Sequence, residues 1–200
     1  EKEEKAELRA QQREEARLQK EIKEQRKNID KERKHYEQAL SNINKQISSS
    51  SDENIEELNK KKEEIIQFLS DIDTKIKDID YREANQKAGY VYIISNIGSF
   101  GEGIYKIGMT RRLNPQERVD ELGDASVPFK FDVHAMIFSE DAPALEAKLH
   151  RAFEDRKLNL VNQRREFFKV SLEEIKEVVK NNFDKTVEFI EVPDADQYRI

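Results

Sequence analysis

Two hundred residues, 39% of them charged and 36% hydrophobic, are too polar for one well-filled core over the whole length and allow one or two domains of about 100–200 residues each. The absence of cysteine excludes disulfides and thiolate metal sites and fits a reducing, cytoplasmic setting. A net charge of −6 argues against wholesale electrostatic attraction to nucleic acid, and no apolar run approaches the roughly 18 residues that a membrane helix needs.

Residues 1–80 form a helical arm. Residues 1–47 lack proline and glycine, and Leu8, Ile22, Ile29, Tyr36 and Ile43 fall on one seven-residue repeat. Gln25, Glu32 and Gln46 interrupt the partner positions, so only half of a coiled-coil seam is present. Ser48 to Ser51 break the pattern, because serine hydroxyls compete for backbone bonds. From Ile55 to Ile79 a cleaner stripe follows, interrupted only by Lys62, and it requires a facing helix. That helix is either the first one, folded back at the serines, or a second copy or partner protein. The arm starts in uncapped Glu/Lys sequence without methionine, the mark of a fragment with sequence upstream. Residues 81–88 read as a linker, 89–192 as a compact domain and 193–200 as a tail.

The compact domain opens with Tyr90-Val91-Tyr92-Ile93-Ile94 and, after a Gly/Ser loop, Tyr105-Lys106-Ile107-Gly108. These β-branched and aromatic runs read as a hairpin. Asn114-Pro115 with Glu117 begins a helix carrying Arg118 on its first turn. Phe129 to Phe138 alternate as a third strand, with His134 on the face opposite Val133, Ala135 and Ile137. A helix follows from Pro143 to Arg156 with Leu145, Leu149 and Ala152 inward and Glu146 and His150 four apart on one side. After a basic loop with Arg164 and Arg165, Glu166 to Val170 form a short strand. Ser171 and Glu174 then cap a last helix, and Val187 to Val192 offer a final strand. The whole is α+β: a small mixed sheet of three or more strands flanked by helices, behind an all-α arm.

This arrangement resembles the GIY-YIG nuclease superfamily over residues 88–183. Tyr90-Val91-Tyr92 stands where the family has Gly-Ile-Tyr, with Tyr90 in place of glycine, and Tyr105-Lys106-Ile107-Gly108 stands where it has Tyr-Ile-Gly. The run Tyr-Lys-Ile-Gly-Met-Thr followed by Arg118 is most similar to a bacteriophage-type DNA-binding branch. The resemblance implies an endonuclease hydrolysing phosphodiesters, with DNA the favoured substrate. It implies that Glu146 holds one Mg²⁺ (or Mn²⁺), that Arg118 contacts the scissile phosphate, and that Tyr92 and Tyr105 orient the attacking water or take its proton, Tyr105 being the assigned base. Modules of this kind behind coiled coils resemble bacterial or prophage proteins, some used against phage.

Other residues remain open between roles. His134 and His150 would protonate a leaving group or bind phosphate if they converge on Glu146, and are otherwise structural. Arg111 and Arg112 are loop phosphate contacts or plain surface charges. Arg164 and Arg165 are phosphate contacts that position nucleic acid without reading sequence. Phe167 and Phe168 are core or base-stacking residues. A non-catalytic DNA-binding module and a coiled-coil adaptor are the competing functions. The nuclease reading makes a spatial demand: Tyr92, Tyr105, Arg118 and Glu146 must face one shallow cleft.

Overall fold

In a computed structural model of the chain, residues 2–49, 54–124, 127–159, 166–191 and 195 are described. The chain divides into two compact units, Glu1–Ala84 and Asn85–Ile200. No helix among the described residues is long and apolar enough to cross a membrane.

The first unit holds helices α1 (Lys2–Ser49) and α2 (Ile55–Ala84). Arg26 bonds Asp80 and Glu83, Arg33 reaches Asp73, and Tyr36 stacks on Phe68, so partners descend in α2 as they rise in α1. The pair is an antiparallel hairpin, and the Ile55–Ile79 stripe meets the first helix of its own chain. Ile29, Ile72 and Ile79 are buried in it, while Leu8, beyond the reach of α2, stays 55% exposed. Ser48 and Ser49 turn their hydroxyls back to Asn44 and Lys45 carbonyls just before the chain reverses. The α2 helix continues to Ala84 and absorbs half of the expected linker.

The second unit is built on a four-stranded sheet of order β3-β1-β2-β4, from β1 (Gly89–Ser95), β2 (Ile104–Thr110), β3 (Asp132–Ser139) and β4 (Phe167–Lys169). Every pairing is antiparallel, so the sheet is uniform where a mixed one was expected. The hairpin loop contains a one-turn helix, α3 (Ile97–Phe100). Helix α4 (Pro115–Asp124) follows β2, α5 (Ala142–Ala152) follows β3, and α6 (Leu172–Asn182) follows β4. Their starts are the expected ones: Asn114 accepts from Gln116 N–H, Asp141 from Ala144 N–H, and Ser171 and Glu174 complete a capping box. The segment 187–191 is irregular rather than a strand, although Ile190 N–H donates to the His134 carbonyl. Val192 and the tail, Ala195 apart, lie outside the described residues.

Side chains alternate across a strand, so each run serves both faces of the sheet. One face carries Val91, Ile93, Ile107, Ala135 and Ile137, packed under Leu145, Leu149 and Phe153 and under Leu172, Ile175 and Val179 of α6. Phe153, not the exposed Ala152, completes the inward stripe after α5. The other face carries Tyr92 and Ile94, against Val119 of α4 and the half-buried Phe131, Val133 and Met136. A bulge between Ile93 and Ile94 leaves His134 without a cross-strand partner and lets Val133 and Met136 share a face.

Candidate active site

Strand parity decides which groups meet. In the β1–β2 ladder Tyr92 pairs with Gly108 and Ile94 with Lys106, so all four rise from the α4 face. Ser95 pairs with Tyr105, and both belong to the opposite face. Gly108 is required here: a Cβ would lie 2.6 Å from Tyr92 Cζ and 2.9 Å from Cε2, so the phenol lies across the strand where a side chain is missing. Tyr92 is 3% exposed, and Arg118, one turn into α4, hydrogen-bonds its hydroxyl.

The second half of the site comes from the edge of β2. Strand β4 pairs only with Ile104, Tyr105 and Lys106. Ile107 N–H still finds the Glu166 carbonyl, but beyond it the ladder ends. Helix α5 lies along this edge and supplies side chains in place of a strand. His150 Nε2 donates to the Ile107 carbonyl at 2.8 Å, and Glu146 accepts from Met109 N–H. Because a carbonyl only accepts, Nε2 carries the ring proton and Nδ1 the lone pair. Glu166, at the start of β4, receives Lys106 Nζ at 3.1 Å.

Glu146, His150 and Glu166 each offer a ligand atom, all within 4.8 Å of one another. Burial first, and then the charge of Glu166, push the Glu146 carboxyl up to about 7, against the opposing pull of Lys106 and the Met109 amide. Burial lowers His150 below the usual histidine range, which favours the neutral ring that can bind a metal. Two half-buried carboxylates beside an imidazole form a donor set that fits a divalent cation; the carboxylates suit Mg²⁺ or Mn²⁺, and the imidazole tilts the choice toward Mn²⁺. Burial also pushes the Tyr92 phenol well above its ordinary range, and Arg118 only partly offsets this. The Tyr92 phenol therefore keeps its proton at neutral pH.

Two of the three residues expected beside Tyr92 stand near it. Tyr92 lies within electrostatic reach of Arg118, Glu146 and Glu166 together. Tyr105 does not join them: its ring packs on the α5–α6 side, edge-on to His134 at 5.1 Å, and its pKa is raised by burial and Glu102. His134 is also placed elsewhere. It is 1% exposed, with Nε2 at 2.7 Å from Ser95 Oγ and Nδ1 at 2.7 Å from the Ile190 carbonyl, which ties 187–191 to the bulge. Burial lowers its pKa, and the Asp132 charge opposes this only in part.

The arginines also separate. Arg112 is 4% exposed and grips Glu121 with two bonds of 2.8 and 2.7 Å, which makes it a structural ion pair and not a phosphate contact. Arg111 donates to the Gln86 carbonyl and ties the start of the domain to the end of β2. Arg118 stands only 3.6 Å from Glu121, whose carboxylate is already held by Arg112. Arg164 and Arg165 lie outside the described residues.

Two members of the group, Lys106 and Glu166, were not expected from the sequence. Lys106 was legible by parity: it stands two residues before Gly108, hence on the same face, whereas Tyr105 stands three before it. Glu166 stood in a run, Glu166-Phe167-Phe168, that resembles an element of the bacteriophage-type branch but carried no site role; the β2–β4 register brings it in from sixty residues away.

No curated protein and no solved structure matches the chain. Residues 89–183, which carry the whole sheet and all of Tyr92, Lys106, Arg118, Glu146, His150 and Glu166, match the family model of the T5orf172 domain.

Proposed function

We propose that residues 89–183 are a metal-dependent endonuclease of GIY-YIG type that hydrolyses phosphodiester bonds of nucleic acid, DNA before RNA. The observation that carries this reading is the convergence of Tyr92, Lys106 and Arg118 with the Glu146–His150–Glu166 donor set at one sheet edge. The match to the T5orf172 domain points the same way, toward a nuclease or DNA-binding role.

In the proposed reaction a water oxygen bonds to phosphorus and gives up a proton to solvent, negative charge builds on the phosphoryl oxygens, and the bond to the leaving nucleotide oxygen breaks as that oxygen takes a proton from solvent. Arg118, a permanently charged planar fork, binds those oxygens. Lys106 stands 3.1 Å from Glu166 and adds a second positive charge on the same face. The neutral Tyr92 phenol accepts from Arg118, so its own O–H is left to donate to phosphate or to the attacking water. Glu146, His150 and Glu166 would hold one divalent ion, Mn²⁺ or Mg²⁺, which would supply neutralisation of the charge that builds in the reaction. The helical arm is a targeting or partner-binding element, and anti-phage defence is the biological setting proposed for it.

Supercoiled plasmid incubated with Mg²⁺ or Mn²⁺, or with EDTA, tests this. Metal-dependent nicking that falls about 100-fold or more in both Glu146→Gln and Arg118→Ala supports it. One observation favours a second reading, a non-catalytic DNA-binding module: the site holds one phenol where two were expected, since Tyr105 faces away. DNA binding that weakens with salt, without cutting at any metal concentration, would establish that module and refute the enzyme. Absence of both would leave an adaptor protein.

A further inference from the structure

Beside the site, on the same face, three phenylalanines form a continuous aromatic surface. Phe167 pairs across the ladder with Lys106, so the two side chains rise together. Phe100, at the end of α3, lies 4.8 Å from Phe167 and 6.2 Å from Phe131, ring centre to ring centre, and Phe131 and Phe167 are 6.3 Å apart. Lys106 Nζ lies 5.4 Å from the Phe167 ring centre while it bonds Glu166. The rings are held from beneath by Asn96, 1% exposed, which accepts from Ser99 N–H at 3.1 Å and donates to the Phe129 carbonyl at 2.6 Å. That one side chain fastens the α3 turn to the loop that carries Phe131.

These rings are not closed over. Phe153 and Phe168, on the opposite face, are 4% and 0% exposed, whereas Phe100, Phe131 and Phe167 are all half-buried. Aromatic surface that adjoins the Lys106 ammonium, itself 8% exposed, on the face of the sheet that also carries Tyr92 is suited to a ligand with a flat π-system next to a phosphate. A nucleotide is such a ligand. Bases inside a duplex are covered on both faces by their neighbours, so only an unpaired or extruded base can lay its own face on the rings.

We propose that Phe100, Phe131 and Phe167 form a stacking subsite for an unpaired nucleobase of DNA, adjoining the phosphate that Arg118 and Lys106 bind. The subsite rests on the nucleic-acid reading of the neighbouring site, and it narrows the substrate class to single-stranded DNA or duplex with a bulged or extruded base. The chain has no tryptophan, so Phe100→Trp places a single fluorescent reporter on this surface.

The 200-residue chain is titrated in EDTA, where no cutting interferes, with a mixed-sequence DNA oligonucleotide as single strand, as perfect duplex, and as duplex with one bulged base. Single-stranded and bulged DNA should bind about tenfold or more tighter than perfect duplex, in line with base–aromatic stacking. They should quench the indole emission of the Phe100→Trp variant, and perfect duplex should not. The preference should vanish in Phe100→Leu and Phe167→Leu and persist in Phe100→Tyr, which keeps the ring. Equal affinity for the three DNAs, or a preference that survives both leucine variants, overturns the subsite. Bulge-selective binding without plasmid nicking leaves the subsite standing and removes catalysis; nicking without selectivity does the reverse. Absence of DNA binding in any form overturns both.

Discussion

Glu146→Gln should make the metal-free domain more stable at pH 8 while abolishing its chemistry. In the folded protein the carboxyl of Glu146 sits at about 7, against 4.5 for an ordinary glutamate, with burial the first cause and Glu166 the second. A folded-state value above the unfolded one means that the folded protein keeps a proton which the unfolded chain releases. The stability this contributes is complete below about 4.5 and is lost as pH rises through 7. The gap corresponds to about 3 kcal/mol, an upper figure for a side chain that keeps some contact with water. Glutamine carries no charge, so the variant should equal wild type near pH 4.5 and exceed it by about 2–3 kcal/mol at pH 8, about 10 °C in melting temperature for a domain of this size. The arm helices dominate any helical signal, so unfolding by urea in EDTA is best followed by amide exchange at Ile93 and Ile107, both fully buried strand residues. Adding Mn²⁺ at pH 8 should stabilise wild type and leave the glutamine variant unchanged, since the ion relieves the repulsion between the two carboxylates. A stability difference that does not change with pH, or a glutamine variant weaker at pH 8, would refute the electrostatic account of this site.

Three further outcomes follow from the geometry. Tyr92→Phe should cut plasmid nicking about 100-fold with little loss of stability, while Tyr105→Phe should stay within about twofold of wild type, because its hydroxyl lies on the far face; equal losses in both would overturn the assignment of faces. Gly108→Ala should cost about 1–3 kcal/mol in urea unfolding and most of the nicking, since the new methyl occupies the place of the Tyr92 ring. A neutral, buried His134 bonded to Ser95 and Ile190 contributes stability that is present above its ordinary value of 6.5 and is lost as pH falls below it. His134→Ala should therefore destabilise the domain by about 2–3 kcal/mol at pH 8 and by less at pH 5, with nicking by the folded fraction intact.

Much of the architecture could be read because its signals are local. The capped starts of α4, α5 and α6 each depend on a side chain two or three positions from the amide it satisfies, Asn114, Asp141 and Ser171 respectively. The arm was legible for a similar reason, since a seven-residue repeat is a local pattern; its fold-back was not, because a second copy would bury the same stripe equally well. What escaped were consequences of strand pairing. The bulge at Ile93/Ile94 cannot be seen in Phe129–Phe138, whose alternation is unbroken, yet it gives His134 a position of its own beside Ser95. Arg112 looked like a loop cation because its partner, Glu121, lies nine residues on, on the next helix.

The two tyrosines show how far one residue of register carries. A Tyr-Ile-Gly motif has its tyrosine two positions before the glycine, on the same face of the strand. Here the tyrosine stands three positions before Gly108, and Lys106 takes the in-phase place. Tyr92 crosses Gly108, which brings a phenol over the strand, and the second in-phase group is a cation. That exchange changes the electrostatics in a definite direction. Two carboxylates, Glu146 and Glu166, now share the edge with an ammonium as well as with the Arg118 guanidinium. A second phenol would have left Glu166 without a bonded cation in the metal-free protein. Lys106 supplies that cation within the chain itself, and the edge that β4 leaves open after Lys106 is where Glu146 and His150 enter.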